Sequence, residues 1–282
     1  MSNYTPWQGK EYWNRRVEQF GHTGWAHPVL YKYDQKTRVD LIDKLAKVDP
    51  QSRILDFGCG TGEMIKALVK RYPQSQITGV DVSDKVIDIA KKNLNAFKNV
   101  DFFSDGIDSP KLMAGSFDLI LCITVLQHFE PNHLTHAFKR LTSLLRPNGR
   151  IIILENIYQR PQSNNYINTS FGESSWREVI AASGLQVIRT TSYPHWGVLA
   201  VETALPLFRN LREELRTLIG KNTPNITPTP ADQKVIRAAS DRSMTSLLIK
   251  FLLALTWPLD HLLCLPPPRC LRHYTMFVIT KK

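Results

Sequence analysis

Ile54-Leu55-Asp56-Phe57-Gly58-Cys59-Gly60-Thr61-Gly62-Glu63 decides how the rest of this 282-residue chain is read. Arg53 to Phe57 is a short apolar run between polar residues, the pattern of a buried parallel strand. Glycine then occupies every second position, Gly58, Gly60 and Gly62, so the backbone can take positive φ and approach a ligand closely. Met64 to Tyr72 follows as a helix, with Ile65, Leu68 and Val69 on one side. A strand that stops at such a turn sets a ligand over the carboxyl edge of a sheet.

The dinucleotide fingerprint G-x-G-x-x-G needs its third glycine five places after the first. Here it falls four places after, and Glu63 holds the fifth. Asp56 also puts a carboxylate at the strand end, where a pyrophosphate is repelled and a cation welcomed. D-F-G-C-G-T-G-E resembles the first motif of the class I S-adenosylmethionine-dependent methyltransferases. The resemblance implies that Asp56, Gly58, Cys59, Gly60 and Gly62 hold S-adenosyl-L-methionine and release S-adenosyl-L-homocysteine.

Outward from this stretch, strand–helix units repeat. Gln76 to Asp81 is the second strand, and Ser83 caps a helix with Val86, Ile87, Ala90 and Leu94 inward. An acid ending the second strand suits a pair of ribose hydroxyls, and the resemblance adds Val82 beside Asp81. Val100 to Phe103 is the third strand; by the resemblance, Asp105 and Gly106 meet the adenine. Ser116 to Ile123 is the fourth, with Cys122, Ile123 and Thr124 lining the site through their backbone. Pro131 opens a helix with a stripe of Leu134, Ala137, Phe138, Leu141 and Leu145, and Arg150 to Leu154 is the fifth strand. Ser174 or Ser175 caps a helix from Trp176 to Ser183, stopped by Gly184; Leu185 to Tyr193 is the sixth strand. Residues 273–280 read as one more.

This order predicts an α/β, doubly wound, mostly parallel sheet with helices on both faces. The resemblance makes it the seven-stranded Rossmann-like methyltransferase fold, its last strand antiparallel between the fifth and sixth. The expected organisation is then an N-terminal lid segment at 1–36, a cofactor-binding core at 37–193, a helical apolar insertion at 194–272 and a final core strand at 273–282. In the lid, Glu11 to Gln19 reads as a short helix, and Gly21, Gly24 and Pro28 as breakers before a helix over 37–48. The resemblance implies a lid from which Tyr12 and Arg15 or Arg16 reach the methionine carboxylate, Arg16 being the first choice.

The insertion contains an amphipathic segment, 206–219, and a loop at 222–233 with three prolines. Its stretch 244–265 is strongly apolar but broken by Lys250, Pro258, Asp260 and His261. It reads as an interrupted helix pair rather than a span, because a span needs about 20 apolar residues. It suits a roof over the acceptor, a homodimer contact, or a peripheral contact with a membrane surface.

Methyl transfer is a displacement that requires alignment and, for amines and alcohols, loss of a proton. His128, just past the fourth strand, is the first candidate base, with His195 and Tyr166 behind it. Tyr31, Tyr166, Trp176, His195 and Trp196 are candidates for the acceptor site. No acidic ligand set for a metal stands out, so none is expected. The formal net charge of +11 favours anionic partners, yet no basic cluster or RNP-type aromatic motif points to nucleic acid. A small-molecule or lipid-linked acceptor comes first, a peptide side chain second and RNA third. The four cysteines form no C-x-x-C pair and the N-terminus has no apolar leader, so a reducing cytoplasmic setting is expected. The rival readings are a nicotinamide-dependent oxidoreductase and an inactive binding module.

Overall fold

The computed structural model describes residues 9–23, 28–46, 48–157, 171–192, 200, 244–261 and 274–282. Its strands are β1 (Arg53–Phe57), β2 (Gln76–Asp81), β3 (Val100–Ser104), β4 (Phe117–Ile123), β5 (Leu145–Asn156), β6 (Leu185–Ser192) and β7 (Tyr274–Lys281). Its helices are α1 (Gly9–Phe20), α2 (Pro28–Ala46), α3 (Glu63–Arg71), α4 (Asp84–Asn93), α5 (Pro131–Leu144), α6 (Glu173–Ala182) and α7 (Met244–His261). A 3-10 turn spans Leu126–His128.

The seven strands form one sheet in the order β3-β2-β1-β4-β5-β7-β6. β1 pairs in parallel with β2 and with β4, and β7 runs antiparallel between β5 and β6. The seventh strand therefore lies where the resemblance put it.

Side chains alternate across the sheet, as the twofold period of a strand dictates. Leu55, Ile120, Cys122, Ile151, Ile153, Phe277 and Ile279 join α5 and α6 in one buried cluster. Ile54, Leu119, Leu121, Ile152, Leu154, Met276 and Val278 join α2, α3 and α4 in the other. Both faces are covered, which is why the central strands read as continuous apolar runs. Each fully buried Leu or Ile contributes roughly 1.5–3 kcal/mol relative to exposure.

Four boundaries differ from the sequence reading. Pro28 opens α2 instead of breaking the chain, because a helix's first turn has no use for that missing N–H. α5 ends at Leu144, and Leu145 turns into β5 to pair with Phe117. α6 begins at Glu173 with Gly172 as its N-cap, so neither Ser174 nor Ser175 caps it. α7 is one helix, continuing through Pro258 to His261. A proline in a last turn forfeits a single bond there, whereas one in mid-helix disrupts the ladder more.

The chain divides into two compact units: residues 1–25, 35–193 and 272–282 make one, and residues 26–34 and 194–271 the other. In the second unit, α7 buries Ile249, Leu253 and Thr256 and exposes Leu247, Phe251 and Leu255. Among the described residues, no helix is long and apolar enough to cross a membrane. The segments 206–219 and 222–233, with Cys264 and Cys270, lie outside the described residues.

Candidate functional site

The carboxyl ends of β1, β2 and β4 meet at a common rim, and the glycine turn closes it. Gly58, Gly60 and Gly62 have φ of 77°, 54° and 82°. These are left-handed values that cost an L-residue roughly 1–2 kcal/mol each. The turn is pinned to β2: Gly58 and Cys59 donate their amides to the Val80 carbonyl at 2.7 and 3.0 Å. Space is as restrictive as φ. A Cβ on Gly60 would lie 2.6 Å from Thr23 Oγ1, and one on Gly58 would lie 2.2 Å from Val125 Cγ2.

Two carboxylates sit beside this turn. Asp81 accepts from the Gly60 amide on Oδ2 at 3.1 Å and from the Ser83 amide on Oδ1 at 3.0 Å. Burial pushes its pKa up, against the pull of those amides. Asp56 is 2% exposed, and its Oδ2 has no hydrogen-bond partner. Burial first, and Asp81 second, push Asp56 up to about 7. A buried carboxylate with an unused oxygen and a neighbouring negative charge favours a cation.

The same burial and the same two acids push the Cys59 thiol well above its usual range, so it is a small wall residue and not a nucleophile. Cys122 projects into the α5–α6 core, so only its backbone belongs to the rim strand. Ile123 is buried in the opposite cluster.

On the adenine side, the Asp105 amide donates to the Asp81 carbonyl at 3.0 Å. The Asp105 carboxylate accepts from the Gly106 amide at 2.8 Å and from Ser109 Oγ at 2.6 Å, which holds its pKa below the usual carboxylate range. Gly106 has open space where a side chain would be. Val82, between the two acids' strands, is 40% exposed and offers an apolar surface to a base.

α1 lies beside α4 and reaches the rim. Lys10 pairs with Asp84 at 3.3 Å, Lys85 with Glu18, and Asn14 with Ser83. Arg16 Nε donates to the Thr23 carbonyl at 3.0 Å, fastening the segment whose threonine touches the glycine turn. Tyr12 stacks edge-on against Trp13 at 4.9 Å, and Trp13 against His128 at 5.3 Å. Trp13 and Thr23 are thus rim residues that the sequence reading passed over.

His128 is half-buried at the end of the 3-10 turn, its amide donating to the Val125 carbonyl at 3.0 Å. That turn hangs from Glu155, a second residue the sequence reading missed. The Glu155 carboxylate is fully buried and accepts from the amides of Val125, Leu126 and Gln127 at 3.2, 2.9 and 3.2 Å. Burial pushes its pKa up to about 8, against the pull of those amides and of Arg38. The available signal was an acid ending an otherwise apolar strand. Thr124, where β4 leaves the sheet, has φ of 57°, an outlier for a β-branched residue.

Trp176 corrects an expectation. It is fully buried, packs edge-on against Phe171 at 5.5 Å and donates Nε1 to the Asn156 carbonyl at 3.4 Å. An indole with no exposed surface belongs to the α6 core and lines no acceptor site. Tyr31 lies within α2, its side chain outside what the structure describes. Tyr166, His195 and Trp196 lie outside the described residues. Among the described residues, no three His, Cys, Asp or Glu gather as a metal set.

The fold and rim together define a doubly wound protein with a site for a nucleoside that carries positive charge. Residues 54–149 match the family described as "Methyltransferase domain". Over 130 residues the chain is 33% identical to a malonyl-[acyl-carrier protein] O-methyltransferase of Halalkalibacterium halodurans, covering 45% of each protein. Over 130 residues it is 34% identical to a trans-aconitate 2-methyltransferase of Rhodopseudomonas palustris, covering 45% of this chain and 48% of the relative. The match thus spans about half the length of these curated relatives. The [4+2]-cyclase SpnF shares the fold, with a TM-score of 0.55 at 16% identity over 87% of this chain and 80% of its own. Residues 54–149 are thus similar to the methyltransferase-domain family, and the seven-stranded sheet has the fold of that solved relative. The orphaned Asp56 oxygen, the Asp81 carboxylate and the three-glycine cradle fit that family's cofactor, S-adenosyl-L-methionine.

Proposed function

We propose that this chain is an S-adenosylmethionine-dependent methyltransferase acting on an oxygen or nitrogen of a small-molecule or lipid-linked acceptor. The observation that carries the reading is the partnerless, buried Asp56 oxygen beside the Asp81 carboxylate and the left-handed glycine turn. The cofactor supplies an electrophilic methyl group on a sulfonium centre. Asp81 is the acceptor for the ribose hydroxyls, and Asp56 supplies the counter-charge. The glycine turn lets the backbone approach, and the protein aligns the acceptor and excludes water.

The relatives' printed acceptors, a malonyl group and trans-aconitate, are both carboxylic acids. Together with the net charge of +11, they support a carboxylate oxygen as the first acceptor class. A carboxylate is already ionised at neutral pH, so His128 would then orient it. An amine or alcohol would need His128 to take a proton. The test measures S-adenosylhomocysteine formation with panels of di- and tricarboxylic acids, acyl thioesters, lipid-linked alcohols, amines, peptides and RNA. Turnover with small carboxylic acids alone supports the reading. Turnover confined to peptides or RNA overturns the acceptor class. For an amine or alcohol acceptor, His128→Ala should slow turnover at least 100-fold, and an unchanged pH–rate profile would end the base role.

A further inference from the structure

Three backbone amides in a row, on Val125, Leu126 and Gln127, converge on one carboxylate thirty residues away. Oε1 of Glu155 takes the first two and Oε2 the third. The same turn is tied again by the Asn156 amide, which donates to Gln127 Oε1 at 3.2 Å. The turn has two functional neighbours. Val125 fills the space that the missing Gly58 side chain leaves, and His128 at its end meets Trp13 of α1. A buried acid is costly to keep, and here the three amides that would be orphaned without it offset that cost, so carboxylate and turn are fixed together.

We infer that Glu155 is the positioning residue of the rim turn, holding residues 125–128 against the glycine turn so that His128 stays at the mouth of the cofactor site. It acts through the turn and touches neither cofactor nor acceptor. The charged and titratable groups that act on it are Arg38 of α2 and Cys122 of β4. The inference rests on the methyltransferase reading only for what the turn serves; the clamp itself is a statement about this fold.

Glu155→Gln tests it in the full-length chain. The glutamine oxygen keeps the amides of Val125 and Leu126, but its NH2 faces the Gln127 N–H, donor against donor. Hydrogen exchange by NMR should show at least tenfold faster exchange at Gln127, while Thr124 is unchanged. Thr124 is the internal control because its amide donates to the Leu154 carbonyl at 2.7 Å, independently of Glu155. The emission of Trp13, isolated by difference against Trp13→Phe, reports the 5.3 Å contact with His128 and should change between wild type and Glu155→Gln, and S-adenosylhomocysteine should bind several-fold more weakly. Glu155→Asp keeps the carboxyl group but not the reach, so it should resemble Glu155→Gln.

A lower melting temperature with Gln127 exchange, Trp13 emission and ligand affinity all unchanged would overturn the inference, leaving Glu155 structural. Full rescue by Glu155→Asp would also overturn it, since the carboxyl group rather than its reach would then matter. If the wild type bound no S-adenosylhomocysteine, the functional reading would fall, while the exchange and emission arms would still decide the clamp.

Discussion

Binding of the cofactor should expel a proton from Asp56. The carboxylate has been pushed up to about 7 by burial and by Asp81, so in the free protein it is about half protonated at pH 7. A cationic ligand beside it stabilises the ionised form and draws the pKa down. The sign follows from that direction: bound protein holds fewer protons, so affinity rises with pH. About half a proton should be released at pH 7, about nine-tenths at pH 6 and about a tenth at pH 8. The same arithmetic makes S-adenosylmethionine bind about tenfold more weakly at pH 6 than at pH 8, or about 1.4 kcal/mol. Titration calorimetry in buffers of different ionisation heat counts the protons directly. Asp56→Asn should abolish both the proton release and the pH dependence of affinity. Equal heats in phosphate and Tris at pH 7, with affinity flat from pH 6 to 8, would show that Asp56 does not give up a proton to the ligand.

Other consequences follow from the same geometry. Gly60→Val should cost at least tenfold in S-adenosylhomocysteine affinity, because its φ of 54° and the 2.6 Å approach to Thr23 forbid the side chain; wild-type affinity measured by calorimetry would contradict this. Glu155 and Asp56 both have folded pKa values raised above their unfolded ones, to about 8 and about 7. The folded chain therefore binds more protons than the unfolded chain between about pH 4 and those values, and stability should fall as pH rises through that window. Urea titrations at pH 5 and pH 8 read this, and Glu155→Gln should flatten the slope. Trp176→Ala should destabilise the fold by about 3–5 kcal/mol through the cavity it leaves. In the fraction that stays folded, ligand affinity should be unchanged; selective loss of acceptor turnover would reinstate Trp176 in the site.

The strands were legible because a doubly covered sheet needs apolar residues on both faces. Ile54-Leu55, Ile120-Leu121-Cys122 and Ile151-Ile152-Ile153 carry that demand in sequence order. The glycine spacing and the two strand-terminal acids were equally legible, since φ and charge are properties of single positions. Glu155 was not. Its role depends on amides about thirty residues earlier that turn back over β5, and a glutamate at a strand end ordinarily reads as solvated. Thr23 and Trp13 escaped for the same reason, because their meaning comes from where α1 lies. Pro28 misled because a proline that ends one element equally well begins the next. Trp176 was ambiguous because an aromatic residue on an amphipathic helix suits a core and a binding wall alike.

The rim of β1 and β2 is a berth for an adenosyl donor rather than a dinucleotide. Calorimetry of the intact chain with S-adenosylhomocysteine and with NAD, in parallel, tests it most directly. The first should show saturable one-to-one binding, sharply weakened by Asp81→Ala, and the second should give no heat. Binding of NAD with none of S-adenosylhomocysteine, or affinity indifferent to Asp81, would contradict it.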